Sequence, residues 1–389
     1  MQASSLVQLG VTGLLVASVP LSLVWMSSDP NKYRKLVWLA VFLTFDLIVF
    51  GAFTRLTDSG LGCPDWPGCY GLANPFLAHE QISAAEALLP SGPVTVVKAW
   101  IEMIHRYLAM GIGVLIMALM VKSWLASSKE RGAAYAPPLP TALFLFVCLQ
   151  GAFGAWTVTM KLQPVIVTTH LLLGMGLLAL LTWMGGRQDY LTLPRQPLMR
   201  DAAPGGMRAL AIASGLVLLL QIALGGWVST NYATMACSEF PLCGGTLVPE
   251  MDVGHGFTLW RELGKTAAGH YLPFSALVAI HWVHRNFALV VVAVLGATAW
   301  RAWSHPALRP TARKIALVLA VQAASGIATV YFSFPLAIAV LHNAGAALLV
   351  LLVTMLNYRI QYQTAQNQAA TDQAAKAAAA SASHARHPQ

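Results

Sequence analysis

Charge is what this 389-residue chain has least of: 24 Lys and Arg and 15 Asp and Glu make up 10% of it, against 57% hydrophobic residues. A soluble protein of that length needs more charge to cover its surface, so a water-soluble globular fold is excluded. Long uncharged or nearly uncharged stretches stand in its place, at 6–26, 36–54, 96–124, 141–160, 165–185, 208–229, 276–303, 312–333 and 336–358. Each is long enough to cross a hydrocarbon core of roughly 30 Å. In lipid each must be a helix, because a helix satisfies its own backbone polar groups. The expected fold is an all-α polytopic membrane protein.

Other absences narrow the class. The first run has no basic residues before it and no small-x-small site after it, which argues against a cleaved signal peptide and for an extra N-terminal transmembrane helix. Acidic residues are too few to balance the basic ones, and the net charge is +9. Nucleic acid is not the implied partner, because the basic residues sit in every second connection. Lys32, Arg34 and Lys35 follow the first run, and Lys122, Lys129 and Arg131 the third. Arg187, Arg195, Arg200 and Arg208 follow the fifth, and Arg301, Arg309, Arg313 and Lys314 the seventh. The positive-inside rule then puts these connections and the C-terminus in the cytoplasm, and the N-terminus outside. Beyond Arg359 the chain is rich in Ala, Gln and Ser without apolar periodicity, which predicts a disordered cytoplasmic tail over 359–389.

What is present is an internal repeat. Cys63-Pro-Asp-Trp-Pro-Gly-Cys69 recurs as Cys237-Ser-Glu-Phe-Pro-Leu-Cys243, with Gly51 and Gly225 the same distance upstream. Ile104-His105-Arg106 recurs as Val283-His284-Arg285. Gln150, Gly154, Thr157 and His170 match Gln322, Gly326, Thr329 and His342. Several matches in one order at nearly constant offset define two halves, 36–186 and 208–358, behind an N-terminal segment at 1–35. Each half holds four spans, so both enter from the same side, and an axis along the membrane normal should relate the two four-helix bundles.

Ionisable residues inside membrane helices are functional candidates by default. His105 and His284 lie in the second span of their repeats, and His170 and His342 in the fourth. The latter pair follow Pro164 and Pro335 by a rise of about 9–11 Å. Two histidines at like depth on facing helices can supply both axial ligands of a haem. The alternative for each is a histidine hydrogen-bonded across two helices, but four that repeat as two pairs favour iron. Zinc lacks a third ligand in either half. Gly111, Gly113, Gly154, Gly174, Gly176, Gly326 and Gly345 on the same spans allow close helix approach and also leave room for a flat macrocycle. His79, His255 and His270 have no partner at the repeat offset and read as solvated loop residues, as do His305, His384 and His387.

Cys148 lies in an apolar run and reads as a buried small hydrophobe. The four repeated cysteines lie in loops expected to face outward, where disulfides persist. Two readings stand open: a staple over each bundle mouth, or a redox-active pair exchanging electrons with a haem below.

The repeat breaks at one place. Glu102-Met-Ile-His105 becomes His281-Trp-Val-His284. Glu102 shares a helix face with His105, one turn outward, where a carboxylate can take up protons during an oxidation. The first half is thereby expected to do chemistry and the second to hold a permanent cofactor. Arg106 and Arg285 suit haem propionates, or equally brace Glu102 or a helix end.

Taken in order, the run Gly51-Ala-Phe-Thr-Arg-Leu-Thr-Asp-Ser-Gly-Leu-Gly-Cys-Pro-Asp-Trp-Pro-Gly-Cys69, Glu102-x-x-His105-Arg106, His170, Cys237-x5-Cys243, His284-Arg285 and His342 resembles the haem A synthase family over about residues 36–358. The resemblance implies an enzyme that oxidises the C8 methyl of haem O to a formyl group by successive hydroxylation and loss of water, for terminal oxidases. It implies substrate haem on His105 and His170 with Glu102 beside it, and a haem b cofactor on His284 and His342. It also implies outer cysteine pairs at Cys63/Cys69 and Cys237/Cys243, in a bacterial inner membrane with those loops periplasmic. The chain departs from the family's eight helices by its extra first span. Candidate protein partners are the haem O synthase, an electron-transfer protein and a second copy of the chain. A di-haem electron-transfer cytochrome would explain the histidines but not Glu102; a transporter would explain the repeat but bind no haem.

Overall fold

The computed structural model describes residues 2–130, 133–192 and 206–384. Arg131, Arg195, Arg200 and His387 lie outside the described residues. The helices are α1 (Gln2–Met26), α2 (Lys32–Leu56), α3 (His79–Leu88), α4 (Val96–Glu130), α5 (Pro138–Thr159), α6 (Pro164–Thr192), α7 (Met207–Thr230), α8 (Val253–Gly256), α9 (Phe274–Trp303), α10 (Arg309–Tyr331) and α11 (Leu336–His384). All but α3 and α8 are long and apolar enough to cross a membrane, and the chain is an all-α, multi-pass membrane protein. The short α3 and α8 lie in the two cysteine-bearing loops, where sequence periodicity is too brief to announce a helix.

Local chemistry sets the ends. The Asn31 side chain caps α2 by accepting from the Arg34 backbone N–H. Proline opens α5 and α6, where a missing N–H costs nothing. Left-handed residues turn the chain between α5 and α6 (Lys161, Leu162) and between α10 and α11 (Ser333, Phe334), so the tight connection recurs at the repeat offset. Helix α6 outruns its apolar stretch, carrying Arg187, Gln188 and Asp189 to Thr192; the Trp38 indole donates to Asp189 at 2.9 Å.

Helices α2, α4, α5 and α6 pack in a ring that closes between α6 and α2. Helices α7, α9, α10 and α11 pack likewise, α11 closing on α7. The rings meet where α11 lies on α2 and α6, and α6 on α7. In each ring the helices bearing the candidate histidines stand diagonally opposite. Large aliphatics such as Leu119, Leu181, Leu295 and Leu356 fill the part of the bundles remote from the cysteines. At the cysteine end, Arg55 donates to the Ser229 carbonyl at 2.6 Å and covers the Tyr232 ring, whose hydroxyl donates to Asp58 at 2.5 Å. This polar clamp joins the halves.

Two expectations meet a different outcome. Cys148 is exposed, not buried, because α5 stands at the rim and shows most of its surface outward. The segment after Arg359 was expected to be irregular, yet the α11 backbone is helical to His384. Alanine and glutamine favour helix intrinsically even where no apolar stripe marks one.

Helix α1 packs outside the rings, mainly on α4. A β-carbon on Gly111 would meet Val16 Cγ1 at 2.7 Å, and one on Gly13 would meet Met110 Cβ at 2.9 Å. Overpacking such a contact costs about 1–3 kcal/mol. Gly111→Val should therefore lower the thermal midpoint of the detergent-solubilised protein. An unchanged midpoint would argue that α1 does not dock there.

Candidate functional site

His105 on α4 and His170 on α6 stand on opposite helices of the first ring, and His284 on α9 and His342 on α11 on opposite helices of the second. Each lodges against a glycine of the next helix. A β-carbon on Gly51 would lie 2.9 Å from His105 Nε2, and one on Gly225 2.9 Å from His284 Cε1. The same carbon on Gly154 would lie 3.2 Å from His170 Cε1, and on Gly326 3.1 Å from His342 Cε1. Any larger residue at these four positions would push the ring away, so glycine here is a requirement of space.

Glutamines contact three of the four histidines, two at the imidazole and one at the backbone carbonyl. Gln221 on α7 places its amide nitrogen 3.2 Å from both His284 Nδ1 and the His284 carbonyl. Gln150 on α5 donates to the His170 carbonyl at 3.1 Å. Gln322 on α10 lies 3.3 Å from His342 Nε2, and Ser325 Oγ lies 2.9 Å from His342 Nδ1. His170 Nδ1 and the amide oxygens of Gln150, Gln221 and Gln322 are buried without hydrogen-bond partners. Such atoms are rare unless a ligand completes the site. Imidazoles on opposite helices, glycine cradles and orphaned polar atoms together fit a flat metallated macrocycle held from both sides.

Above each pair, a disulfide loop is fastened to the histidine helix. Cys63 and Cys69 are bonded, as are Cys237 and Cys243. Glu102 is 4% exposed and accepts from the Cys63 backbone N–H at 2.8 Å. Its other oxygen pairs with Arg106. The Arg106 guanidinium also donates to the carbonyls of Asp65 (3.1 Å), Pro67 (3.2 Å) and Gly68 (2.7 Å). In the second half, His281 Nδ1 accepts from the Cys237 N–H at 3.2 Å. Arg285 donates to the carbonyls of Glu239 (2.9 Å), Pro241 (3.1 Å) and Leu242 (3.4 Å). Both arginine forks brace these loops, and Arg106 also braces Glu102. Glu102 and His281 thus occupy one structural position with different chemistry.

His79, His255 and His270 remain in the loops, away from both pairs. His255 Nδ1 lies 2.6 Å from Asp252, whose carboxyl is held below its usual range chiefly by the His255 backbone N–H. Gln221 and Ser325 are the residues that sequence reasoning passed over, and His281 was read there only as the loss of a carboxylate. The signal for the glutamines is a Gln-x-x-x-Gly spacing in α5, α7 and α10, which puts the glutamine and the glycine on one helix face.

The cytochrome oxidase assembly protein family matches residues 34–354 of the chain. A haem A synthase of Shewanella oneidensis is 38% identical over 333 residues, which cover 85% of this chain and 98% of that one. A haem A synthase of Rhizorhabdus wittichii is 29% identical over 341 residues, 83% of this chain and 92% of its own. One of Erythrobacter litoralis is 30% identical over 342 residues, 81% and 93% respectively.

Breaking a buried charge pair costs about 3–5 kcal/mol. Arg106→Gln should loosen the Cys63–Cys69 loop, so that dithiothreitol reduces that disulfide faster than Cys237–Cys243 in the same molecules. Equal acceleration at both disulfides, or none, would contradict the brace.

Proposed function

The chain belongs to the cytochrome oxidase assembly protein family, and from that premise we propose that it is a haem A synthase, oxidising a methyl group of haem O to a formyl group. The observation that carries this is the duplicated setting of four half-buried imidazoles, each against a glycine. A duplicated haem-sized site in one membrane protein suits an enzyme whose substrate and cofactor are both haems. The half at 36–186 takes haem O between His105 and His170. The half at 208–358 keeps haem b between His284 and His342, and a haem held by two imidazoles supplies one-electron transfer.

The residues of the chain supply the rest. The two histidine pairs hold both groups at similar depth in a medium without water. Glu102, one turn beyond His105, takes up a proton released as the methyl group is oxidised, while its other contacts keep the cysteine loop seated. His281 leaves the second half without such a carboxylate, in keeping with a cofactor that is not consumed. The disulfides staple the loops over the bundle mouths. The basic ends of the spans face the cytoplasm by the positive-inside rule, which turns the cysteine loops to the periplasm and the C-terminus inward.

Two experiments test this. Changing each histidine to Met in turn should remove the tightly held haem of the purified protein only at His284 and His342. Retention in both variants would overturn the assignment of halves. Glu102→Gln keeps an acceptor for the Cys63 N–H but removes the charge. It should retain haem and abolish formylated product, read by mass spectrometry of extracted haem after co-expression with a haem O source. Normal product from that variant would leave Glu102 as a loop anchor alone. No formylated haem from the unaltered protein would instead favour a di-haem electron-transfer cytochrome.

A further inference from the structure

The two histidine pairs are equivalent in place but not in support. In the second ring each imidazole has a polar side chain at Nδ1, Gln221 at 3.2 Å for His284 and Ser325 at 2.9 Å for His342. The repeat offsets identify their counterparts in the first ring. Gln221 stands four residues before Gly225, and Leu47 stands four before Gly51. Ser325 immediately precedes Gly326, and Phe153 immediately precedes Gly154. Both polar supports are thus replaced by hydrocarbon. The consequence is visible in the rings: His170 Nδ1 is buried with no partner, and His105 turns its Nε2 edge to Gly51, where the other three present Cε1 to their glycines.

The physical meaning follows from what a ligating histidine needs. When Nε2 binds iron, Nδ1 carries the proton and must donate it. An acceptor there fixes the tautomer and the ring plane and makes the imidazole a stronger ligand. The Ser325 hydroxyl serves directly. The unpartnered amide oxygen of Gln221 serves once the amide turns, giving up its nitrogen's bond to the His284 carbonyl. In the first ring neither Leu47 nor Phe153 can accept, so His105 and His170 bind iron without that reinforcement.

Resting on the assignment of substrate and cofactor to the two halves, we propose that Gln221 and Ser325 are positioning residues that make the second haem permanent. Leu47 and Phe153 correspondingly leave the first pair of imidazoles as exchangeable ligands, so that a haem can enter, be altered and depart. One duplicated scaffold acquires a retained and a released haem through two side chains per half.

The test follows haem transfer from the purified full-length protein to an excess of apomyoglobin, with the low-spin signal read by electron paramagnetic resonance. Gln221→Leu combined with Ser325→Ala should speed release of the retained haem about 10–100-fold and weaken the bis-imidazole signal. Gln221→Leu with Ser325→Thr, which keeps a hydroxyl, should restore part of both. In the first half, Leu47→Gln alone should slow release of loaded haem O about tenfold or more, and Leu47→Gln with Phe153→Ser further. Release rates and signals equal to the unaltered protein in the second-half variants would overturn the proposal, and so would unslowed release from Leu47→Gln. If His284→Met and His342→Met lose haem while the Gln221 and Ser325 variants release it normally, this inference alone falls. If the two His→Met variants keep their haem, the assignment of halves falls first.

Discussion

An imidazole buried in a membrane bundle needs two things that lipid cannot provide: space beside the helix that carries it, and partners for its ring nitrogens. The structure meets the first need four times and the second only in the ring that carries His284 and His342. Space comes from Gly51, Gly154, Gly225 and Gly326, each on the helix next to its histidine. Glycine in a helix costs about 0.5–1 kcal/mol relative to alanine, and four such residues at the level of four histidines indicate that clearance outweighs helix stability there. The large aliphatic core is correspondingly displaced toward the other end of the bundles.

The cysteine loops form the second tier of the same design. Arg106 and Arg285, one residue beyond His105 and His284, gather loop carbonyls that would otherwise lie half-buried without donors. Glu102 and His281, one turn before His105 and His284, accept the N–H of the first cysteine of each loop. Loop and ligand helix therefore move as one unit. Glu102 and His281 perform the same mechanical task, so the difference between the halves lies in what a carboxylate can do that a neutral imidazole cannot. Leu47 and Phe153 stand where the second half has Gln221 and Ser325, a further departure from the repeat at the level of the histidines.

Much of this was legible in the sequence. The spans follow from uninterrupted apolar length, and the four histidines from a repeat whose offsets survive insertions in the loops. The resemblance to haem A synthases rested on residues now found around both pairs. The parts that were not legible depend on contacts distant in sequence. Nothing local tells that Arg106 reaches back to the carbonyl of Gly68, or that His281 anchors Cys237. Helix α3 is too short for periodicity to reveal, and Cys148 sits on a rim helix whose outward side is as apolar as its inward one. The glutamine supports were written in the spacing Gln-x-x-x-Gly, but only the fold shows that this face meets a histidine.

The central claim is that two imidazoles from diagonal helices converge on one iron in each half. The direct measurement is a cryo-electron microscopy map of the protein purified with its haem and supplied with haem O. The account predicts planar density between His284 and His342 beside Gly225 and Gly326, and a second, partly occupied plane between His105 and His170 beside Gly51 and Gly154. Haem density bound by only one of these histidines, or lying on the outer surface of the helices, would contradict it.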